Sequence, residues 1–181
     1  MWDTHVQPIL RTRSDQQVHA HNLHVVGYRE ADLGERLQGF MIEGQAVKVG
    51  ITASRGQLTI RILGFDRGLV DSAATAIRPL LGEHLIYEGE HSLEEEVGRQ
   101  LIKHGVTVAL AESCTGGLMA AALTEIPGIS SVFLAGFVTY SEQAKIRDLG
   151  VDAAILTEHG GVYESVAAAM AQGAATKSGA R

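Results

Sequence analysis

The chain has 181 residues, 45% apolar and 20% charged, a globular composition with room for one large domain or two small ones. Its net charge of −6 argues against a partner held mainly through a phosphate backbone, and no apolar run approaches the ~20 residues of a membrane span. A single cysteine excludes an internal disulfide and fits a reducing compartment. The start, Met1-Trp2-Asp3-Thr4-His5, lacks the charged and apolar regions of a signal peptide, so a cytoplasmic location is expected.

The first half alternates strand and helix signals. Val18 to Val26 reads as a strand. Ala31 to Met41 reads as a helix with Leu33, Leu37, Phe40 and Met41 on one face. Val47, Val49 and Ile51 alternate, Ser54-Arg55-Gly56 supplies turn chemistry, and Leu58, Ile60 and Ile62 alternate again, which is a hairpin signal. Leu69, Ala73, Ile77 and Leu80 return to helical spacing, and Leu85 to Tyr87 is a short last strand. The order βαββαβ predicts a small α+β domain with helices on one sheet face.

The pattern changes near Glu88-Gly89-Glu90. Ser92 with Glu95 forms a capping box, opening a helix with Leu93, Val97 and Leu101 on one face and Gly105 after its end. An apolar run from Val106 to Leu110, a polar turn Ala111-Glu112-Ser113-Cys114-Thr115-Gly116-Gly117 and a small-residue run from Leu118 read as strand, tight turn and helix. Pro127-Gly128 breaks that helix, and Phe133 to Tyr140 is the next strand. Ser141 caps a helix to about Leu149, Thr157 caps a short turn near Glu158 and His159, and Glu164 to Lys177 is helical with Val166 and Met170 on one face. Only two strands are convincing in this half, whereas a stable sheet usually has three or more. Completion from outside this chain, or a shortened chain, is therefore expected.

The turn at Ser113 places hydroxyls, a thiol and free backbone N–H groups at a helix N-terminus, which attracts anions and can hold a developing oxyanion. By residue type alone, Ser113 and Thr115 serve equally well as helix caps. Cys114 is a rival nucleophile, or a small packed side chain. His19 and His21 share one strand face and His24 takes the other, with no acidic or cysteine cluster nearby, so no metal site is expected. The turn lacks the Gly-Lys-Ser/Thr ending of a P-loop.

A family resemblance covers much of the second half. Leu110-Ala111-Glu112-Ser113-Cys114-Thr115-Gly116-Gly117, Pro127-Gly128 with Ser130-Ser131, Gly136-Phe137-Val138-Thr139-Tyr140-Ser141 with Lys145, Leu149-Gly150-Val151 and Glu158-His159-Gly160 occur in order. Together they resemble the C-terminal domain of the CinA (competence/damage-inducible) family, the nicotinamide-nucleotide amidase fold. The resemblance divides the chain into 1–14, the tail of a preceding molybdopterin-binding-like domain; 15–88, a KH-like middle domain; and 89–181, part of the amidase domain. The implied fold class is α+β and α/β, a βαββαβ KH-like domain followed by an incomplete three-layer α/β amidase domain. The family's domain continues with further strands beyond the position of Arg181. The family also usually has serine where Tyr163 stands, a change that weakens a helix N-cap.

The resemblance implies hydrolysis of the amide of nicotinamide mononucleotide to nicotinate mononucleotide and ammonia, with no cofactor and no metal. Ser113 is then the nucleophile and Lys145 its base, a Ser–Lys variant of the triad logic, with Tyr140 relaying a proton or donating to the leaving group. Lysine acts as a base only when neutral, a form favoured by burial or a neighbouring cation. Thr115, Gly116 and Gly117 bind substrate, with backbone N–H groups near Thr115 and Gly116 holding the oxyanion or the nucleotide phosphate. Glu112 either pairs with Lys145 or binds the ribose, and Ser130 and Ser131 bind substrate or cap the chain before the next strand. The expected partners are a small-molecule nucleotide and further copies of this chain in a homo-oligomer, with no membrane and no nucleic acid. Nucleic-acid binding by a KH-like module needs a Gly-x-x-Gly loop, absent between the expected helices, and residues 1–90 carry nine basic and eleven acidic side chains. The alternative is a catalytically incompetent chain acting only in binding or oligomerisation.

Overall fold

A computed structural model describes residues 17–54 and 56–181. The segment 1–14 with its expected role as a domain tail lies outside the described residues, as does Arg55 of the hairpin turn. The chain divides into two compact units between Glu90 and His91.

The first unit runs β1 (His19–Val25), α1 (Glu30–Leu37), β2 (Val47–Ser54), β3 (Gln57–Gly64), α2 (Arg67–Leu81) and β4 (Leu85–Glu88). Its four strands form an antiparallel sheet in the order β2-β3-β1-β4, with Leu23 opposite Ile60 and Val25 opposite Leu58. Alternation along β1 and β3 sends Leu23, Val25, Leu58, Ile60 and Ile62 to one face, where Leu33, Leu37, Val70, Ala74, Ile77 and Leu81 of the helices cover them. Each such leucine, isoleucine or valine stabilises the unit by about 1.5–3 kcal/mol through its burial.

Two local readings are corrected. The first helix stops at Leu37 and passes into a 3-10 turn, Gln38–Phe40, closed by Met41 N–H donating to Gln38 O, so Met41 is exposed. The buried face of α2 is rotated by one residue: Val70, Ala74, Ile77 and Leu81 are inside, whereas Leu69 is 47% exposed. Asp66 caps α2 by accepting from Leu69 N–H, which places Leu69 on the first turn facing out.

The second unit runs α3 (Leu93–His104), β5 (Val108–Glu112), α4 (Leu118–Thr124), β6 (Phe133–Val138), α5 (Glu142–Leu149), α6 (Ala153–His159) and α7 (Glu164–Ser178). The capping box of α3 forms in both directions, and left-handed Gly105 ends the helix at φ 63°. Its inner face differs from the reading, since Val97 is exposed and Gly98 is buried against Ile126, where a Cβ has no room. The strand expected from Val106 begins at Val108. Thr157 lies inside α6, its hydroxyl donating to Ala153 O, and Asp152 caps that helix by accepting from Ala154 N–H.

Strands β5 and β6 pair in parallel and form a two-stranded sheet. A parallel pair needs a crossover, here supplied by α4. Ala109, Ala111 and Phe137 face one cluster with Leu149, Leu156, Val166 and Met170, while Val108 and Leu110 face another with Leu123, Ile126 and Val132. Helices thus pack on both faces of β5, the layering of an α/β unit, while Leu134, Gly136 and Val138 on one face of β6 stay exposed. Gly173 of α7 lies directly against Leu149 O, so α7 approaches the end of α5 more closely than a side chain would allow.

Candidate active site

In a parallel pair the loops leaving both strands emerge at the same end, where α/β proteins bind ligands. Here those loops are the Ser113–Gly117 turn after β5 and Thr139–Ser141 after β6. Ser141 caps α5 by accepting from Ala144 N–H, which fixes the start of the helix and puts Lys145 in its first turn.

Lys145 is 1% exposed, the largest fully buried side chain among the described residues. Its Nζ lies 3.0 Å from Ser113 Oγ, 2.9 Å from Thr139 O and 3.1 Å from Tyr140 O. The two carbonyls can only accept, so they take two amine hydrogens. What remains toward Ser113 is a third N–H in the ammonium or a lone pair in the neutral amine. In the neutral form the lone pair faces the serine hydroxyl, the arrangement a general base requires.

Ser113 opens a tight turn that two glycines make possible. Gly116 and Gly117 have φ of 62° and 102°, conformations that glycine adopts without a Cβ penalty. Gly116 N–H donates to Ser113 O at 3.0 Å, so it is already engaged rather than free for an oxyanion. Among the described residues no hydrogen bond uses the N–H groups of Cys114 or Thr115, which leaves them as free donors beside Ser113.

Glu112 is 4% exposed, makes no hydrogen bond or ion pair with Lys145, and borders the cleft beside Ser113. Its carboxylate accepts from the Thr115 hydroxyl at 2.7 Å, Met119 N–H at 2.9 Å and Ala120 N–H at 2.8 Å. Burial pushes this carboxyl up, but the Met119 N–H, the Thr115 hydroxyl and the Ala120 and Gly117 N–H groups outweigh it and hold it below the usual carboxylate range. The pairing with Lys145 expected for Glu112 is therefore replaced: the carboxylate ties the turn to the start of α4. Thr115 is spent on the same task.

The remaining residues divide by place. Cys114 is exposed and lines, with Ser113 and Thr115, an open cleft of about 500 Å³ whose far wall is Gly161, Val162, Tyr163 and Met170. Tyr140 reaches Lys145 through its carbonyl oxygen, and its residue is 76% exposed. Ser130 and Ser131 sit in the 3-10 turn that enters β6, at the opposite end of the strand from the cleft, and Ser131 donates to Gly128 O. Two of the β1 histidines are engaged within the first unit, His21 with Glu88 and His24 with Gly89 O and Gln57.

Sequence reasoning missed the structural role of Glu112, although a carboxylate just before a helix-opening turn is a recognisable signal for N-terminal capping. It also missed Thr139, which acts through its carbonyl and so leaves no side-chain signature. Tyr163 does lack a side-chain cap bond at the start of α7; instead its ring stacks on His159 with centroids 4.4 Å apart and planes 9° from parallel.

A family model described as the CinA C-terminal domain matches residues 90–181. A CinA-like protein of Akkermansia muciniphila is 37% identical over 176 residues, 97% of this chain and 42% of that protein. A CinA-like protein of Dictyoglomus turgidum is 34% identical over 185 residues, 99% of this chain and 45% of that protein. The chain thus spans less than half the length of these relatives. The crystal structure of the competence/damage inducible protein CihA from Agrobacterium tumefaciens is 47% identical over 50% of this chain and 57% of that one, with a TM-score of 0.47.

Proposed function

This chain belongs to the CinA family, and on that premise we propose that its second unit hydrolyses a carboxamide by a Ser113–Lys145 mechanism, with nicotinamide mononucleotide as substrate. The observation that carries the reading is the buried Lys145 Nζ, 3.0 Å from Ser113 Oγ and held by two carbonyls. A surface lysine forming an incidental contact would not be buried with its hydrogens assigned to backbone acceptors.

Ser113 Oγ attacks the carboxamide carbon as its proton passes to the neutral Lys145 amine. The carbonyl oxygen becomes an oxyanion facing the N–H groups of Cys114 and Thr115. The intermediate collapses, the C–N bond breaks, and Lys145 returns the proton to the departing nitrogen, releasing ammonia. Water then attacks the acyl-serine and gives its proton to Lys145. Collapse frees nicotinate mononucleotide and the proton goes back to Ser113. Thr139 and Tyr140 contribute their carbonyls by aiming the amine, and the chemistry needs no cofactor.

The test is ammonia release from nicotinamide mononucleotide by the purified chain, beside Ser113→Ala and Lys145→Met. Turnover in the parent and a loss of at least about a hundredfold in both variants is the expected result. Turnover that persists in Ser113→Ala moves the nucleophile to Cys114. No turnover by a folded parent refutes catalysis by this chain.

A further inference from the structure

Tyr163 is the feature of the cleft that the mechanism does not use. It opens α7 at φ −152° and gives that helix no side-chain cap. One face of its ring is covered by His159 at 4.4 Å in a near-parallel stack, yet the residue remains 55% exposed. The exposed part of the ring therefore includes the face away from His159. Tyr163 lines the same cleft as Ser113 and Cys114, with Val162, 79% exposed, and Glu164 beside it.

A half-exposed tyrosine braced by a second ring is a rigid platform. The His159 stack limits its motion before any ligand arrives, so stacking on it costs less ordering than stacking on an unsupported ring. Flat π-systems prefer such a face, and an electron-rich phenol ring favours a cationic one. The carboxylate of Glu164 at the same wall adds attraction for positive charge.

We propose that the free face of Tyr163, backed by His159, is the platform on which the planar ring of the substrate stacks, so that this position selects ring-bearing, and above all cationic heteroaromatic, carboxamides over aliphatic ones. The inference rests on the reading of this cleft as the substrate site. Tyr163 is then a substrate-binding and specificity residue, and His159 is the positioning residue behind it.

The experiment measures equilibrium binding of nicotinamide mononucleotide and of ribose 5-phosphate to the Ser113→Ala chain, with Tyr163 intact, changed to Phe or changed to Ser. Serine caps helices well, so Tyr163→Ser is expected to fold. Loss of one stacking contact corresponds to about a tenfold weakening. Nicotinamide mononucleotide is expected to bind about tenfold more weakly to Tyr163→Ser and within about threefold of the parent to Tyr163→Phe, with ribose 5-phosphate unchanged by either. Equal losses for both ligands, no loss for either, or no binding of nicotinamide mononucleotide at all overturns the platform. Ammonia release by the chain with intact Ser113 is measured in parallel and keeps the two readings apart. Release with Tyr163-independent binding refutes the platform alone. Tyr163-dependent ring binding without release supports the platform and refutes the amidase reading.

Discussion

Replacing Glu112 by Gln tests how the Ser113–Gly117 turn is held. The carboxylate accepts three hydrogen bonds of 2.7–2.9 Å at the start of α4. A glutamine has the same shape but only one accepting end. In its better orientation the amide oxygen serves Thr115 and Met119, and the NH₂ faces the Ala120 N–H, donor against donor. Hydrogen bonds to a charged acceptor contribute about 1.5–3 kcal/mol each, and a charge at a helix N-terminus about 0.3–1 kcal/mol. One lost bond, two weakened bonds and the lost charge come to about 3 kcal/mol. For a cooperative unit of this size that lowers the melting temperature by about 12–20 °C. The pH dependence supplies a second check. The folded Glu112 carboxyl lies below its ordinary 4.5, so its stabilisation is present above pH 4.5 and is lost as pH falls through the folded value. Melting of parent and Glu112→Gln, followed by circular dichroism from pH 8 to pH 3, should show a constant gap that narrows only at the acid end. A variant melting within about 3 °C of the parent at pH 7, or a gap that is unchanged at pH 3, would refute this account of Glu112.

Further outcomes follow from other contacts. Gly173→Ala drives a methyl into Leu149 O, and an overpacking cost of about 1–3 kcal/mol is expected in urea denaturation; a stability equal to the parent would mean that α7 and α5 are not in contact. Arg78 beside Glu88, opposed by burial and aided by His21, holds that carboxyl at about 2 against the ordinary 4.5. After allowance for solvent screening, Glu88→Gln should cost about 2 kcal/mol at pH 7, and the difference from the parent should shrink as pH falls from 4.5 toward 2. Tyr140→Phe should keep kcat within about threefold, because the contact to Lys145 is through the carbonyl; a loss of about a hundredfold would give the hydroxyl a proton-transfer role. Sedimentation should show self-association of the chain, since Leu118, Leu134 and Val138 are exposed around a sheet of two strands; a monomer at all concentrations would refute it.

Much of the fold was legible because its signals are local. Alternating Leu58, Ile60 and Ile62 identify a strand with one buried face, and Ser92 with Glu95 identifies a helix start, wherever the chain later goes. The errors share one cause. Leu69 or Val70 satisfies helical spacing equally well, and only the sheet beneath α2 selects the second. Val97 and Gly98 pose the same choice, resolved by the approach of Ile126.

For the site, residue types and order along the chain were enough to nominate Ser113 and Lys145 through the family motif. By itself the sequence determined the turn, with its two glycines and helix-opening polar residues, because backbone conformation there is set within a few residues. It also determined that Ser141 begins a helix that carries Lys145. Only the tertiary structure decided that Lys145, 32 positions from Ser113, points at its hydroxyl, that Glu112 is consumed by α4, and that Ser130 and Ser131 lie at the wrong end of β6. Those outcomes depend on which strands pair, in which direction and in what register. A parallel pairing of β5 with β6 brings two distant loops together and sends a third away, and no short window of sequence records that choice.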